Sequence, residues 1–305
     1  MENNTAYHIP VMLQECLEGL NIRPEGIYVD VTFGGGGHSR AVFEKLNENG
    51  LLLAFDQDPD AEKNSWEAPN FKFIASNFSF LSNHLRLNGI KQVDGVLADL
   101  GVSSHQFDAE ERGFSIRSNA KLDMRMNQSG ELSAYSVVNE YPEEELSRIF
   151  SIYGELKNAR RLASVIASKR ENKKIRTTGE LIELISTCAP KFKEHKFYAQ
   201  VFQAIRIEVN QEMQVLERLL EQSSEILKPG GRLVVMSYHS LEDRLVKNYF
   251  KRGSFSGEIT KDFFGNIIKP FTEVNRHPIV PSDEEVNVNS RARSAKLRIA
   301  QRNER

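Results

Sequence analysis

Four acidic residues and one run of glycines in this 305-residue chain stand where chemistry can be done. Asp30 sits at the end of a strand-like stretch, Ile27 to Phe33, rich in β-branched and aromatic residues. Gly34 to Gly37 follow, then His38, and apolar residues return at Ala41, Val42 and Leu46 with helical spacing. Strand, glycine turn and helix make a backbone cradle: glycines let a ligand approach the main chain, and N–H groups at a helix start attract negative charge. A second apolar run, Leu51 to Phe55, ends in Asp56-Gln57-Asp58-Pro59. A carboxylate about 20 residues after such glycines accepts two hydrogen bonds from a ribose diol. Asp56 directly follows the strand and is favoured over Asp58. Val93 to Leu100 forms a further strand that finishes in Asp99, and Arg232 to Met236 leads to Ser237-Tyr238-His239-Ser240. Phe78 follows the strand Phe71 to Ala75, where an aromatic ring flanks an adenine or belongs to the core.

Spacing narrows the ligand. A dinucleotide fingerprint needs G-x-G-x-x-G, and Ser39 or Arg40 occupies the third position in either frame. What remains, Asp30-x-x-x-Gly34-x-Gly36, resembles the first motif of S-adenosylmethionine (SAM) methyltransferases, whose ligand carries a carboxylate and an ammonium but no pyrophosphate. The plain alternative is a glycine-rich turn between strand and helix.

The elements that must position these residues alternate, strand then helix, from Ile27 to Leu100. That pattern predicts an α/β fold with a parallel, doubly wound, Rossmann-like sheet whose carboxyl edge gathers Gly34 to His38, Asp56, Phe78 and Asp99. The alternation stops after Gln106. Residues 107–206 read as a helical insertion, with Pro142 before Glu143, Glu144 and Glu145 at one helix start and a capping box at Thr177-Thr178-Gly179-Glu180. Lys169, Arg170, Lys173, Lys174 and Arg176 form a basic run, echoed by Lys191, Lys193 and Lys196. Helical periodicity from Val209 to Leu227 and the strand at Arg232 return the chain to the sheet. Ser240-Leu241-Glu242-Asp243 reads as the next helix cap, Gly253 to Asn289 as loop, and Ser290 to Ile299 as a basic final strand. The domains expected are therefore 1–106 and 207–305 as two parts of one sheet domain, with 107–206 as a substrate-holding module.

Composition excludes several classes. The net charge of −2 does not suit a surface built for duplex nucleic acid, so a nucleic-acid partner must be met by local basic patches. Cys16 and Cys188 belong to no C-x-x-C pair, which argues against a disulfide framework or a zinc site and for a reducing cytoplasm. No stretch approaches the roughly 18 apolar residues of a membrane span. The first 18 residues lack the basic, then apolar, pattern of a signal peptide.

Eight ordered stretches carry a wider resemblance: His8 to Val11, Asp30 to Ser39, Asp99 to Ser104, Glu111 to Ser115, Leu122 to Met126, Phe202 to Arg206, His239 to Arg244, and Arg291 to Ser294. Across nearly its whole length the chain resembles the bacterial small-subunit ribosomal RNA cytosine-N4 methyltransferases of the MraW/RsmH type. The resemblance implies SAM as donor and N4-methylation of one cytidine in the decoding region. It implies small-subunit ribosomal RNA as partner, free or within a ribosomal particle, and leaves room for a homodimer. It places SAM contacts at Gly36, Gly37, His38, Asp56, Phe78, Asp99 and Gln106. Asp99 and His239 are the candidates for catalysis, Asp99 as an acceptor for the amine and His239 as a wall of the base pocket. The D-P-P-Y-like loop of many amino-methyltransferases is replaced here by Asp99-Leu100-Gly101-Val102, so Tyr238 or His239 would have to supply the aromatic. Methylation at C5 requires an activated cysteine, and neither cysteine lies in the strand-end cluster. The rivals are a SAM-dependent enzyme for another RNA or a small molecule, and a SAM-binding ribosome assembly factor without catalysis.

Overall fold

The structure, a computed structural model, describes residues 10–103, 106, 107 and 109–304. His8, Ile9 and Ser104 of the matching stretches lie outside the described residues. The chain divides into two compact units, residues 1–101 with 214–305, and residues 102–213. The boundaries fall a few residues from the 106/107 and 206/207 expected. The later shift has a plain cause: the helix Glu194–Asn210 runs unbroken past Arg206 and buries Ile205, Ile207 and Val209.

The first unit is built on a seven-stranded sheet of β1 (Ile27–Asp30), β2 (Leu51–Asp56), β3 (Phe71–Ala75), β4 (Val93–Asp99), β5 (Leu227–Ser237), β6 (Phe271–Glu273) and β7 (Lys296–Arg302), in the order 3-2-1-4-5-7-6. Strands β1 to β5 pair in parallel, whereas β7 runs antiparallel to both β5 and β6. The expected α/β, Rossmann-like sheet is therefore present. β4 is buried at every position from Val93 to Ala98, as a central strand covered on both faces requires. Asp94, at the start of β4, accepts from Arg23, from Lys228 Nζ at 2.8 Å and from the Ile27 N–H at 2.8 Å, so one carboxylate ties the amino ends of β1, β4 and β5.

Helices α1 (Leu13–Leu20), α2 (Gly37–Phe43) and α3 (Leu81–Leu87) belong to the first unit. α1 contributes Cys16 and Leu20 to a core that also holds Tyr28, Phe33, Leu52, Leu97, Val234, Met236 and Leu297. Each such side chain contributes about 1.5–3 kcal/mol by leaving water. The second unit is helical among its described residues: α4 (Ala134–Glu140), α5 (Glu143–Ile152), α6 (Ala159–Asn172), α7 (Thr178–Ser186) and α8 (Glu194–Asn210). Its core is Val137, Leu146, Phe150, Leu162, Ile166, Leu181, Phe197 and Ile205. The Thr177–Glu180 capping box forms as the sequence predicts. The basic run is largely occupied: Arg170 donates to the Val138 and Tyr141 carbonyls at 2.8 and 2.6 Å, and Lys173 pairs with Glu180 at 2.7 Å. The two Arg170 bonds serve the open carbonyl end of α4, and Lys173 reaches the capping acid of α7.

α9 (Glu212–Ile226) returns the chain to the sheet, followed by α10 (Ser240–Arg252) and α11 (Asp283–Val288). Gln211, at φ 51, separates α8 from α9. β6 and α11 lie within the Gly253–Asn289 stretch expected to be loop. β6 is only three residues long and pairs with β7 alone, so it leaves little periodicity to read. Among the described residues no helix is long and apolar enough to cross a membrane.

Candidate functional site

Five parallel strands end on one edge, and the strand order reverses between β1 and β4, so the crevice of such a sheet opens there. Asp30 and Asp99 close those two strands. Asp30 is buried (1% exposed) and fully engaged. It accepts from Ser39 Oγ at 2.6 Å, from the Thr32 N–H at 3.0 Å and from Thr32 Oγ1 at 3.3 Å. The same Thr32 hydroxyl accepts the Asp99 N–H at 2.7 Å. Asp30 thus pins the first turn of α2 to β1 and, through Thr32, to β4. Burial raises its pKa, against the hydrogen bonds from Ser39 and Thr32.

The glycine turn is shaped by what lies beneath it. Gly36 has φ +77, and a Cβ there would meet the Phe33 ring at 2.9 Å. Phe33 is itself held at 5.1 Å from the Phe73 ring and 6.1 Å from Trp66. At Gly37 a Cβ would lie 2.4 Å from Pro10. Gly35, by contrast, has open space around it and no positive φ. Only part of the four-glycine run is thus demanded by geometry.

Asp56 accepts the Gly34 N–H and the Asp58 N–H, both at 2.8 Å, one on each oxygen. A carboxylate offers about four acceptor sites, so each oxygen keeps room for one hydroxyl of a diol. Burial lifts its pKa to about 6, with Asp58 and Asp30 adding to the rise. Asp58, the competing acid, is buried and caps the turn Pro59–Asn64 by accepting the Asp60 N–H. Phe78 opens a 3-10 turn after β3, half-buried, with Asn77 capping it and its carbonyl accepting from Gln222 Nε2 at 3.3 Å.

Asp99 is strongly perturbed. Its Oδ1 accepts from the Tyr238 hydroxyl at 2.8 Å, and its Oδ2 lies 3.7 Å from His38 Nε2. Desolvation, with the charges of Asp30 and Glu242 behind it, raises its pKa to about 7 despite the tyrosine. His38 is buried and neither ring nitrogen has a hydrogen-bond partner; burial lowers its pKa to about 4. At neutral pH the pair is a neutral imidazole facing a half-ionised carboxyl. Burial and the neighbouring Asp99 push the Tyr238 phenol far up, so it stays a donor.

His239 is the N-cap of α10. Its Nδ1 accepts the Glu242 N–H at 3.4 Å, while Glu242 Oε2 accepts the Tyr238 and His239 N–H groups at 2.9 and 3.3 Å. The cap is one residue earlier than the Ser240 read from sequence, because the box pairs His239 with Glu242 rather than Ser240 with Asp243. Gln106 belongs to the second unit, buried, where it and Ser103 exchange hydrogen bonds at 3.1 and 3.2 Å. Cys16 lies in the core, close enough to Asp99 and Asp30 to feel their charge. Burial and those acids raise its thiol well above the ordinary range, the opposite of an activated nucleophile.

Thr32, Ser39 and the Tyr238 hydroxyl had no separate role in the sequence reading. Thr32 and Ser39 lie inside or just beyond the glycine motif, which was the only signal available for them. The residues that are brought together, Asp30, the Gly34–Gly36 turn, His38, Asp56 and Asp99, fit a nucleoside bearing a cationic group: an acid for the diol, an acid for the cation, and a buried imidazole with unmet nitrogens.

Sheet order, glycine turn and paired strand-end acids define a SAM-dependent methyltransferase. More narrowly, the chain belongs to the MraW methylase family, which matches residues 5–303. Ribosomal RNA small subunit methyltransferase H of Bacteroides fragilis (strain YCH46) is 56% identical over 301 residues, 99% of either chain. The protein of that name from Parabacteroides distasonis is 57% identical over 302 residues, again 99% of either chain. That of Flavobacterium johnsoniae is 57% identical over 302 residues, 99% of this chain and all of the other.

Proposed function

We propose that this chain methylates the exocyclic N4 of one cytidine in the decoding region of small-subunit ribosomal RNA. The observation that carries the chemistry is Asp99, poised at about pH 7 between Tyr238 and His38 at the end of β4. Small-subunit ribosomal RNA as substrate is supported by the relatives named for it, aligned over 99% of this chain, and the cytidine N4 is what the family resemblance implies.

A cytosine amine is a weak nucleophile because its lone pair is delocalised into the ring. When bound, SAM supplies an electrophilic methyl group on a sulfonium centre. The chain's own residues then do three things. Asp56 and the Gly34–Gly37 turn hold the nucleoside and fix its orientation, which lowers the entropic cost of in-line approach. Asp99, with Oδ1 occupied by the tyrosine hydroxyl, presents Oδ2 as a hydrogen-bond acceptor to the cation or to the amine. His38, neutral at working pH, supplies an acceptor or a donor without adding positive charge to a site that must take a cation. Phe78 would flank the adenine. His239 borders the base pocket through the helix start it caps. The inert Cys16 thiol argues against a covalent route to C5.

Mass mapping of ribosomal RNA with and without the chain tests this reading. Loss of one methyl group on a decoding-region cytidine, restored by the intact chain and not by Asp99→Ala, is expected. Unchanged methylation at every cytidine would leave SAM binding without this activity.

A further inference from the structure

In the helical unit, the turn before α8 carries Lys191-Phe192-Lys193-Glu194-His195-Lys196, all exposed. Phe192 is 96% exposed and has φ +64, in the left-handed region. An unbranched polar residue or glycine would serve a simple turn better on both counts, since a bare ring costs solvation and a side chain at positive φ is strained. The turn is nonetheless held firmly. The Lys193 N–H donates to the Pro190 carbonyl at 3.1 Å, and the Phe192 N–H donates to Glu194 Oε1 at 3.1 Å. Phe197, one turn into α8, is buried in the unit's core and anchors the helix. The ring is therefore presented, not left loose. Lys191, Lys193 and Lys196, all exposed, stand within four residues of it in sequence, and the one acid in the segment, Glu194, is turned onto the backbone. In a chain of net charge −2 this is a local cationic surface with an aromatic face at its centre. That combination fits a single strand of nucleic acid, whose bases stack on rings and whose phosphates meet ammonium groups.

We propose that Phe192 is a stacking platform for an unpaired base of the RNA substrate, with Lys191, Lys193 and Lys196 on the flanking phosphates. This rests on the reading of RNA as substrate and assigns residues to its grip. Fluorescence anisotropy of the full chain with an unmethylated decoding-region transcript separates the contributions. Phe192→Ala should weaken binding roughly 5- to 100-fold, as for one lost stacked base, and leave the salt dependence unchanged. Phe192→Leu should lose as much, and Phe192→Trp should keep or improve affinity. Changing the three lysines to glutamine should lower the slope of log affinity against log salt by about 2, at roughly 0.7 per phosphate. Phe192→Gly should raise the melting temperature while weakening binding, because it removes the strain along with the ring. SAM affinity should not move in any variant.

Wild-type binding in Phe192→Ala or Phe192→Leu would overturn the proposal. So would a lowered melting temperature in Phe192→Gly, which would make the ring a structural part, or a defect seen only with assembled particles, which would make its partner a protein. If the intact chain neither binds nor methylates the transcript or the particle, the RNA reading itself fails. If it does both and the variants match it, only the platform fails.

Discussion

Asp99 keeps its proton up to about pH 7 because it is desolvated beside other acids, and its neighbour His38 stays neutral down to about pH 4 because it too is buried. The two pull stability in opposite directions. A carboxyl whose folded pKa is raised stabilises the fold below its unfolded value, near 4, and loses that contribution as pH climbs through 7. An imidazole whose folded pKa is lowered contributes fully above about 6.5 and loses its share as pH falls through 4. Without ligand, Asp99→Asn should therefore raise stability at pH 8 by about 1–4 kcal/mol and change it little at pH 4, in urea unfolding. A cationic ligand favours the ionised carboxylate, so SAM binding should release a proton and tighten as pH rises from 5 to 7, then level off. Calorimetry in buffers of different ionisation enthalpy reads this directly, and Asp99→Asn should flatten the profile. Asp56→Ala should weaken SAM binding by about 1.5–3 kcal/mol, the range for hydrogen bonds to a charged group. An unchanged affinity would shift the diol contact to Asp58.

Elements show where sequence speaks and where it falls silent. β3 and the Thr177 cap are legible because each is written locally, in the apolar Phe71, Phe73 and Ile74 or in a Thr-x-x-Glu spacing. The start of α10 was misplaced by one residue because histidine is not among the usual capping types, though Glu242 stands at the required spacing. The hydroxyl bridge from Asp30 through Thr32 to Asp99 depends on β1 and β4 lying side by side, and no local pattern announces that. The cap also gives a clean test of His239. His239→Asn, a good capping residue, should preserve stability, while His239→Ala should lose about 0.5–2 kcal/mol. If single-turnover methyl transfer falls in both, His239 shapes the base pocket; if it falls in neither, its work is to start the helix.

For the whole molecule, charge is divided between holding and binding. Arg298 is buried, donating to Asp243 Oδ1 at 2.7 Å, and Lys296 donates to the other oxygen at 3.2 Å, so both tie β7 to α10. The basic final strand read from sequence is therefore partly internal, a fact hidden because burial of a charge depends on a partner 55 residues away. Arg298→Ala should cost about 1.5–3 kcal/mol of unfolding free energy, the range for a hydrogen bond to a charged group, because Lys296 still pairs with the half-buried Asp243. Charge reversal at the exposed Arg293 should instead lower RNA affinity and its salt dependence with the fold intact. Filter binding against urea unfolding separates the two outcomes. The place of β7 has one more consequence, in the order of synthesis. Among the described strands it is made after all the others, yet it is the one neighbour of β6 and lies against the inner strand β5. Until residue 302 has left the ribosome, β5 and β6 have no common partner and the apolar face of Leu233 and Val235 has no covering strand beside it. The helical unit can settle during translation, but the methyl-transferring sheet closes only once β7 has been released. A nascent chain stalled short of Lys296 should therefore carry a protease-resistant helical core and an accessible, chaperone-binding sheet.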